Sequence, residues 1–248
     1  MLERVAHRNG TVVYRSPALA ALHVPHAFTT RIGPARRELD LGRLDDEADA
    51  TLRELAGFDA EWPLVSLRQV HGASVHEVLA ELPTPDCEGD ALVTSRADRA
   101  LLVYTADCVP VLVATADGRR VAAIHAGWRG LIAGVIPAAV AVLGEAPLVA
   151  AIGPCLSLER CEMGPEVAEL FERAELGAAV HARGSARPHV DLKHAARIQL
   201  ERAGCRSIDV SDRCTYAHAD ELPSHRREVT HGGAKRASRI GALAAARR

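Results

Sequence analysis

The segment LLVYTADCVPVLVATADGRRVAAIHAGWRG, residues 101–130, decides how the chain is read. Two β-rich apolar runs, 109–114 and 120–125, flank Thr115-Ala-Asp-Gly118. Asp-Gly between such runs is the strongest short hairpin signal. With Asp117 and Gly118 as the two turn residues, Cys108 faces Gly127 and His125 faces Pro110. Residues two apart on a strand share a face. Cys108 and His125 therefore point the same way as diagonal neighbours, with Cα atoms roughly 7–8 Å apart. A thiolate and an imidazole so placed can hold one metal ion or form a nucleophile–base pair.

A buried cysteine is more often inert packing than chemistry. Three features favour a site here. Cys108 follows the polar Thr105-Ala-Asp107, His125 opens the Gly-rich exit Ala126-Gly-Trp-Arg-Gly130, and that exit falls where the strand should end. Strand ends leading into Gly-rich turns are where α/β proteins place their sites.

Five segments resemble one family: Gln69-Val-His71-Gly72, Gly89-Asp-Ala-Leu-Val-Thr94, Thr105-Ala-Asp-Cys-Val-Pro110, His125-Ala-Gly-Trp-Arg-Gly130 and Ile152-Gly-Pro-Cys155. Glu162-Met-Gly164, Cys214-Thr215 and Ser224-His-Arg-Arg227 match more weakly. In this order they resemble the YfiH-like family, also labelled laccase-domain, polyphenol oxidase or peptidoglycan editing factor proteins. The resemblance implies a compact α/β fold and one metal site, with His71, Cys108 and His125 as ligands. It also implies purine nucleoside chemistry: phosphorolysis of adenosine, inosine and methylthioadenosine, and adenosine deamination. Some members edit cell-wall precursors, and an older label is copper-dependent phenol oxidase. The chain departs from the family pattern in the short loop 31–40, in Cys161 for an aromatic residue, and in His225 for a tyrosine.

The chain has 248 residues, of which 48% are hydrophobic, ample for a sizeable core. Its formal net charge of −2 gives no electrostatic case for nucleic acid or an anionic membrane. Aromatics at 3% offer no stacking platform for single strands. No apolar signal segment or membrane-length run is present, and six cysteines suit thiols in a reducing compartment. Together with the family resemblance, which implies a small-molecule nucleoside and phosphate as partners, the expectation is a cytoplasmic monomer.

The chain is expected to form a single α/β (α+β) domain over 1–248, a mixed sheet around the hairpin with flanking helices. Strands are read at 11–14, 25–31, 64–70, 90–94, 101–105, 148–152 and 207–210. Helices are read at 45–58, 131–143 (kinked or started near Pro137), 164–176, and from Asp191 as N-cap to Gly204. The tail from His231 reads as partly mobile. The turn from Gly127 to Gly130 exposes backbone N–H groups, and Arg129 beside it is the expected phosphate position.

One thiolate and two imidazoles suit zinc, and three protein ligands leave a position open, as in catalytic zinc sites. Deamination by a zinc enzyme also needs a carboxylate proton shuttle. Asp107 is nearest in sequence, although on a regular strand it faces away from Cys108; Glu162 is the other candidate. Copper ranks lower, because no His-X-His cluster is present. Two alternatives use the same residues. In one, Cys108 attacks an acyl carbon with His125 or His71 as base, which suits cell-wall-precursor editing. In the other, zinc is structural and Cys155 or Cys214 supplies a fourth ligand.

Overall fold

The computed structural model describes residues 1–41, 50–54, 57–59, 61–84, 86–182 and 187–248. In chain order the strands are β1 (Glu3–Ala6), β2 (Val12–Arg15), β3 (His26–Thr29), β4 (Leu64–Val65), β5 (Val75–Glu77), β6 (Ala91–Thr94) and β7 (Ala100–Thr105). They continue as β8 (Val109–Thr115), β9 (Val121–Ala126), β10 (Leu148–Ile152), β11 (Val180–His181), β12 (His189–Val190), β13 (Cys205–Val210) and β14 (Ile240–Ala244). The named α-helices are α1 (Pro17–Ala21), α2 (Trp128–Ile132), α3 (Val135–Leu143), α4 (Pro165–Arg173) and α5 (Leu192–Arg202). Residues 50–54 are also helical; the rest of the helix read over 45–58 lies largely outside the described residues.

Two mixed six-stranded sheets form the fold, ordered β1-β2-β3-β14-β7-β4 and β13-β10-β8-β9-β6-β5. The hairpin pairs β8 with β9 antiparallel, with Pro110 opposite His125 and Val109 opposite Ala126, as the Asp-Gly turn predicts. Its loop is longer than two residues: Thr115 N–H bonds Arg120 O at 3.0 Å, and Gly118 takes φ 70°.

The apolar runs of β8 and β9 are continuous because both of their faces are covered. Val111, Val113, Ala122 and Ile124 pack with Leu131, Val135, Ile136 and Ala139 of α2 and α3. Leu112, Ala114, Val121 and Ala123 pack with Phe28, Leu101, Val103 and Ala242 of the other sheet. A third cluster covers that sheet's far face, joining Val13, Ala27, Leu102 and Leu243 to Leu52, Phe58 and Trp62.

Three expectations need correction. The tail is not loose: β14 is buried throughout and pairs with β3 and β7 in the middle of its sheet. The apolar helix read over 131–143 is two helices, α2 and α3, separated at Gly134 with φ 78°, while Pro137 sits inside the first turn of α3. The strand read over 64–70 shortens to β4, and before His71 the one further β-bridge among the described residues is Arg68–Glu88. Asp191 does cap α5, accepting from His194 N–H at 3.0 Å. Among the described residues no helix is long and apolar enough to cross a membrane.

Candidate metal centre and its cavity

Both turns that carry His71 and Cys108 are crossovers between the sheets. The chain leaves β4 in one sheet and enters β5 in the other through His71; it leaves β7 and enters β8 through Cys108. Each crossover contains a left-handed non-glycine residue, His71 at φ 61° and Asp107 at φ 89°. Such strained backbone persists only where its surroundings hold it, and it concentrates at functional sites. His125 reaches the same place from β9.

The donor atoms of His71, Cys108 and His125 all lie within 4.8 Å of one another. The two imidazoles meet edge to face, their centroids 4.8 Å apart at 82°. His125 is buried, Cys108 half-buried and His71 exposed, so the trio grades from core to surface. Gly127 faces it closely: a Cβ there would stand 3.0 Å from His71 Cδ2 and 3.1 Å from Cys108 Sγ.

Asp90, whose side chain is fully buried, lies behind the imidazoles. Its Oδ1 receives His125 Nδ1 at 2.8 Å and His71 N–H at 2.9 Å; its Oδ2 receives Gly72 N–H at 2.7 Å and Val70 N–H at 3.3 Å. Burial alone would raise the Asp90 pKa, but the His125 hydrogen bond and then the Gly72 amide outweigh it and hold it below the ordinary carboxylate value. For the Cys108 thiol burial likewise opposes ionisation; hydrogen bonding and charge from His125, then from His71, bring its pKa down to about 6. Burial works against a charged His125, yet the Asp90 and then the Cys108 hydrogen bonds lift it to about 9. A thiolate beside a carboxylate-held imidazole is a ready soft-borderline donor set.

The trio opens on a cavity of about 460 Å³, lined also by Arg68, Gln69, Tyr104, His225, Lys235 and Arg239. Gln69 staples one wall, its Oε1 accepting from Tyr104 N–H at 2.7 Å and its Nε2 donating to Tyr104 O at 2.8 Å. None of the described lining residues carries a carboxylate.

The other residues read from sequence lie elsewhere. Asp107 precedes Cys108, but its carboxylate accepts from Thr215 Oγ1 at 2.5 Å and Arg226 N–H at 2.7 Å, away from the cavity lining. Arg129 is exposed and lies over the Trp128 ring at 4.3 Å, also outside that lining. Glu162 lines a different cavity of about 200 Å³. Cys155 and Cys214 are free thiols on two backbone segments joined by an isolated parallel β-bridge, and among the described residues no fourth ligand joins the trio.

Sequence reading missed Asp90 as a partner of the trio. The available signal was its place in Gly89-Asp-Ala, one residue ahead of the strand that pairs with β9. It also missed Lys235 and Arg239, which a loose-tail reading discards.

A purine nucleoside phosphorylase of Deinococcus radiodurans is 39% identical over 239 residues, covering 90% of each chain. Purine nucleoside phosphorylase YfiH of Escherichia coli is 36% identical over 171 residues, covering 68% of this chain and 70% of its own. The crystal structure of YlmD from Geobacillus stearothermophilus superposes with a TM-score of 0.83 at 25% identity, covering 99% of both chains. A family model described as multi-copper polyphenol oxidoreductase laccase matches residues 26–241, and the chain belongs to that family.

Proposed function

We propose that this chain is a purine nucleoside phosphorylase working in one domain from the His71–Cys108–His125 centre, with zinc as its metal. The observation that carries the reading is the convergence of these three donors on a cavity of nucleoside size whose lining is rich in cations. One thiolate and two imidazoles serve both catalytic zinc and blue-copper sites; zinc is the choice here because the described lining holds no methionine to act as the axial copper ligand and the Gln69 amide is engaged by Tyr104. Bound there, it would supply Lewis-acid stabilisation of charge beside the substrate.

The protein groups supply the remaining requirements. Phosphorolysis brings an anionic phosphate oxygen to the anomeric carbon as the bond to the purine nitrogen breaks. Lys235 and Arg239, on the exposed side of the cavity, attract and orient the phosphate; guanidinium and ammonium groups both serve this purpose. The departing purine needs a proton, and His225 is the lining imidazole outside the donor set that can bring one to the base nitrogen. Phosphorolysis is favoured over deamination because the described lining holds no carboxylate to shuttle a proton. A cytoplasmic monomer acting on adenosine, inosine and methylthioadenosine completes the proposal.

A second reading has its own support. The lowered pKa of Cys108 beside His125 suits a metal-free nucleophile that attacks an acyl carbon, as precursor editing requires.

Metal analysis of protein purified without chelator, followed by a nucleoside assay with and without phosphate, separates the readings. The expectation is about one zinc per chain and cleavage to free base and ribose phosphate that stops when phosphate is withheld. A metal-free chain whose Cys108 is readily alkylated by iodoacetamide would favour the nucleophile reading. Stoichiometric copper would favour an oxidase.

A further inference from the structure

We infer that Asp90 is the positioning residue of the metal centre, one carboxylate that holds the His125 ring and the backbone turn that carries His71. The inference rests on the zinc reading above.

Four donors converge on this carboxylate from two separate parts of the chain. Three are successive backbone amides, Val70, His71 and Gly72; the fourth is the His125 ring, carried by a different strand. The amides hold the turn in which His71 stands left-handed at φ 61°, a conformation a non-glycine residue keeps only when the surroundings impose it. The backbone of Asp90 adds a second tie, its carbonyl accepting from His125 N–H at 2.7 Å.

The chemistry of the carboxylate fixes the ring. An ionised carboxylate only accepts, so His125 Nδ1 must carry the hydrogen. Nε2 is left with its lone pair for the metal. Second-sphere carboxylates that hold a ligating imidazole in this way typically contribute 10- to 100-fold in metal affinity. Asparagine has the same shape but cannot do this. Whichever way its amide is turned, Nδ2–H₂ opposes either the His125 Nδ1–H and His71 N–H pair or the Gly72 and Val70 pair.

The test measures zinc affinity of the folded protein by competition with a chromophoric chelator, for wild type and Asp90→Asn. The expectation is a 10- to 100-fold weaker site in Asp90→Asn, with part of the affinity recovered in Asp90→Glu. Equal affinity for wild type and Asp90→Asn overturns the assignment, even if the variant melts lower, because that pattern belongs to a residue that only stabilises the fold. Nitrogen NMR of the zinc-loaded wild type decides the matter where Asp90→Asn does not fold. Coordination of His125 through Nε2 with a protonated Nδ1 supports the assignment, and coordination through Nδ1 overturns it. A wild type that takes up no zinc overturns the zinc reading and this inference together; a wild type that binds while Asp90→Asn binds equally well overturns this inference alone.

Discussion

Thr215 donates its hydroxyl to Asp107 Oδ1 at 2.5 Å, while Arg226 N–H takes Oδ2 at 2.7 Å. Asp107 therefore ties the Cys108 crossover to the segment that goes on to form the cationic wall with Lys235 and Arg239. This is the work of a strap, and it makes a prediction that a proton shuttle would not. Asp107→Asn and Thr215→Val should each slow turnover by lowering site order while leaving both limbs of the pH–rate profile in place. Thr215→Val should cost about 1 kcal/mol of stability, because it removes one hydrogen bond to a partly buried carboxylate oxygen. Loss of one limb in Asp107→Asn, with the fold intact, would make Asp107 the shuttle after all.

Phosphate dependence distinguishes two clusters of positive charge. The Gly127–Gly130 turn and Arg129 resemble an anion site in sequence, but the Arg129 guanidinium rests on Trp128 outside the cavity lining. Lys235 and Arg239 line the cavity itself. Lys235→Ala and Arg239→Ala should each raise the KM for phosphate about tenfold, the scale of one charge-assisted hydrogen bond. Arg129→Ala should leave it within twofold. Steady-state rates against phosphate concentration check this, and the reverse ranking would return the phosphate to the turn.

Gly127 separates closeness from conformation. Its φ of −70° and ψ of 167° suit any residue, so alanine meets no backbone strain there. The added Cβ would crowd His71 Cδ2 at 3.0 Å and Cys108 Sγ at 3.1 Å. Gly127→Ala should therefore fold with a nearly unchanged melting temperature, bind zinc more weakly and lose more than tenfold in activity. Wild-type zinc affinity in this variant would show that the donors can shift aside without loss.

The contrast between these residues explains what could be read in advance. The hairpin was legible because its signals are local: a turn dipeptide, β-branched runs and a register that follows from them. That register already placed Cys108 and His125 together. His71 arrives from another crossover and was reachable only through the family resemblance. Asp90 has a role only once residues 70–72 and 125 surround it, and no periodicity in the strand that follows it encodes that. The tail misled for a packing reason. Gly241, Ala242 and Ala244 look like a flexible composition, yet β14 runs between β3 and β7, where a Cβ at position 241 would stand 2.7 Å from Leu102 and Leu41 side-chain carbons. Small residues there are the condition for a central strand, and placing β14 is what brings the cations just before it to the cavity.

His26 carries the pH dependence of stability away from the site. It is buried, with Nε2 accepting from Ser16 N–H at 2.8 Å and Nδ1 facing Val24 O at 2.8 Å. A carbonyl can only accept, so Nδ1 bears the hydrogen and both ring nitrogens of the neutral imidazole are satisfied. Protonation would set Nε2–H against Ser16 N–H. Burial is the largest cause that brings its pKa down from 6.5 to about 4. The unfolded chain therefore takes a proton near pH 6.5 that the folded chain refuses until about pH 4. Stability is full above pH 6.5, declines as the pH falls through this window and levels below it, with a total loss of about 3 kcal/mol. Chemical denaturation at several pH values should show this slope in the wild type. In His26→Gln, whose side chain does not titrate, the decline between pH 6.5 and 4 should flatten by that amount on a lower baseline. An equal slope in the two proteins would assign the acid sensitivity to other groups.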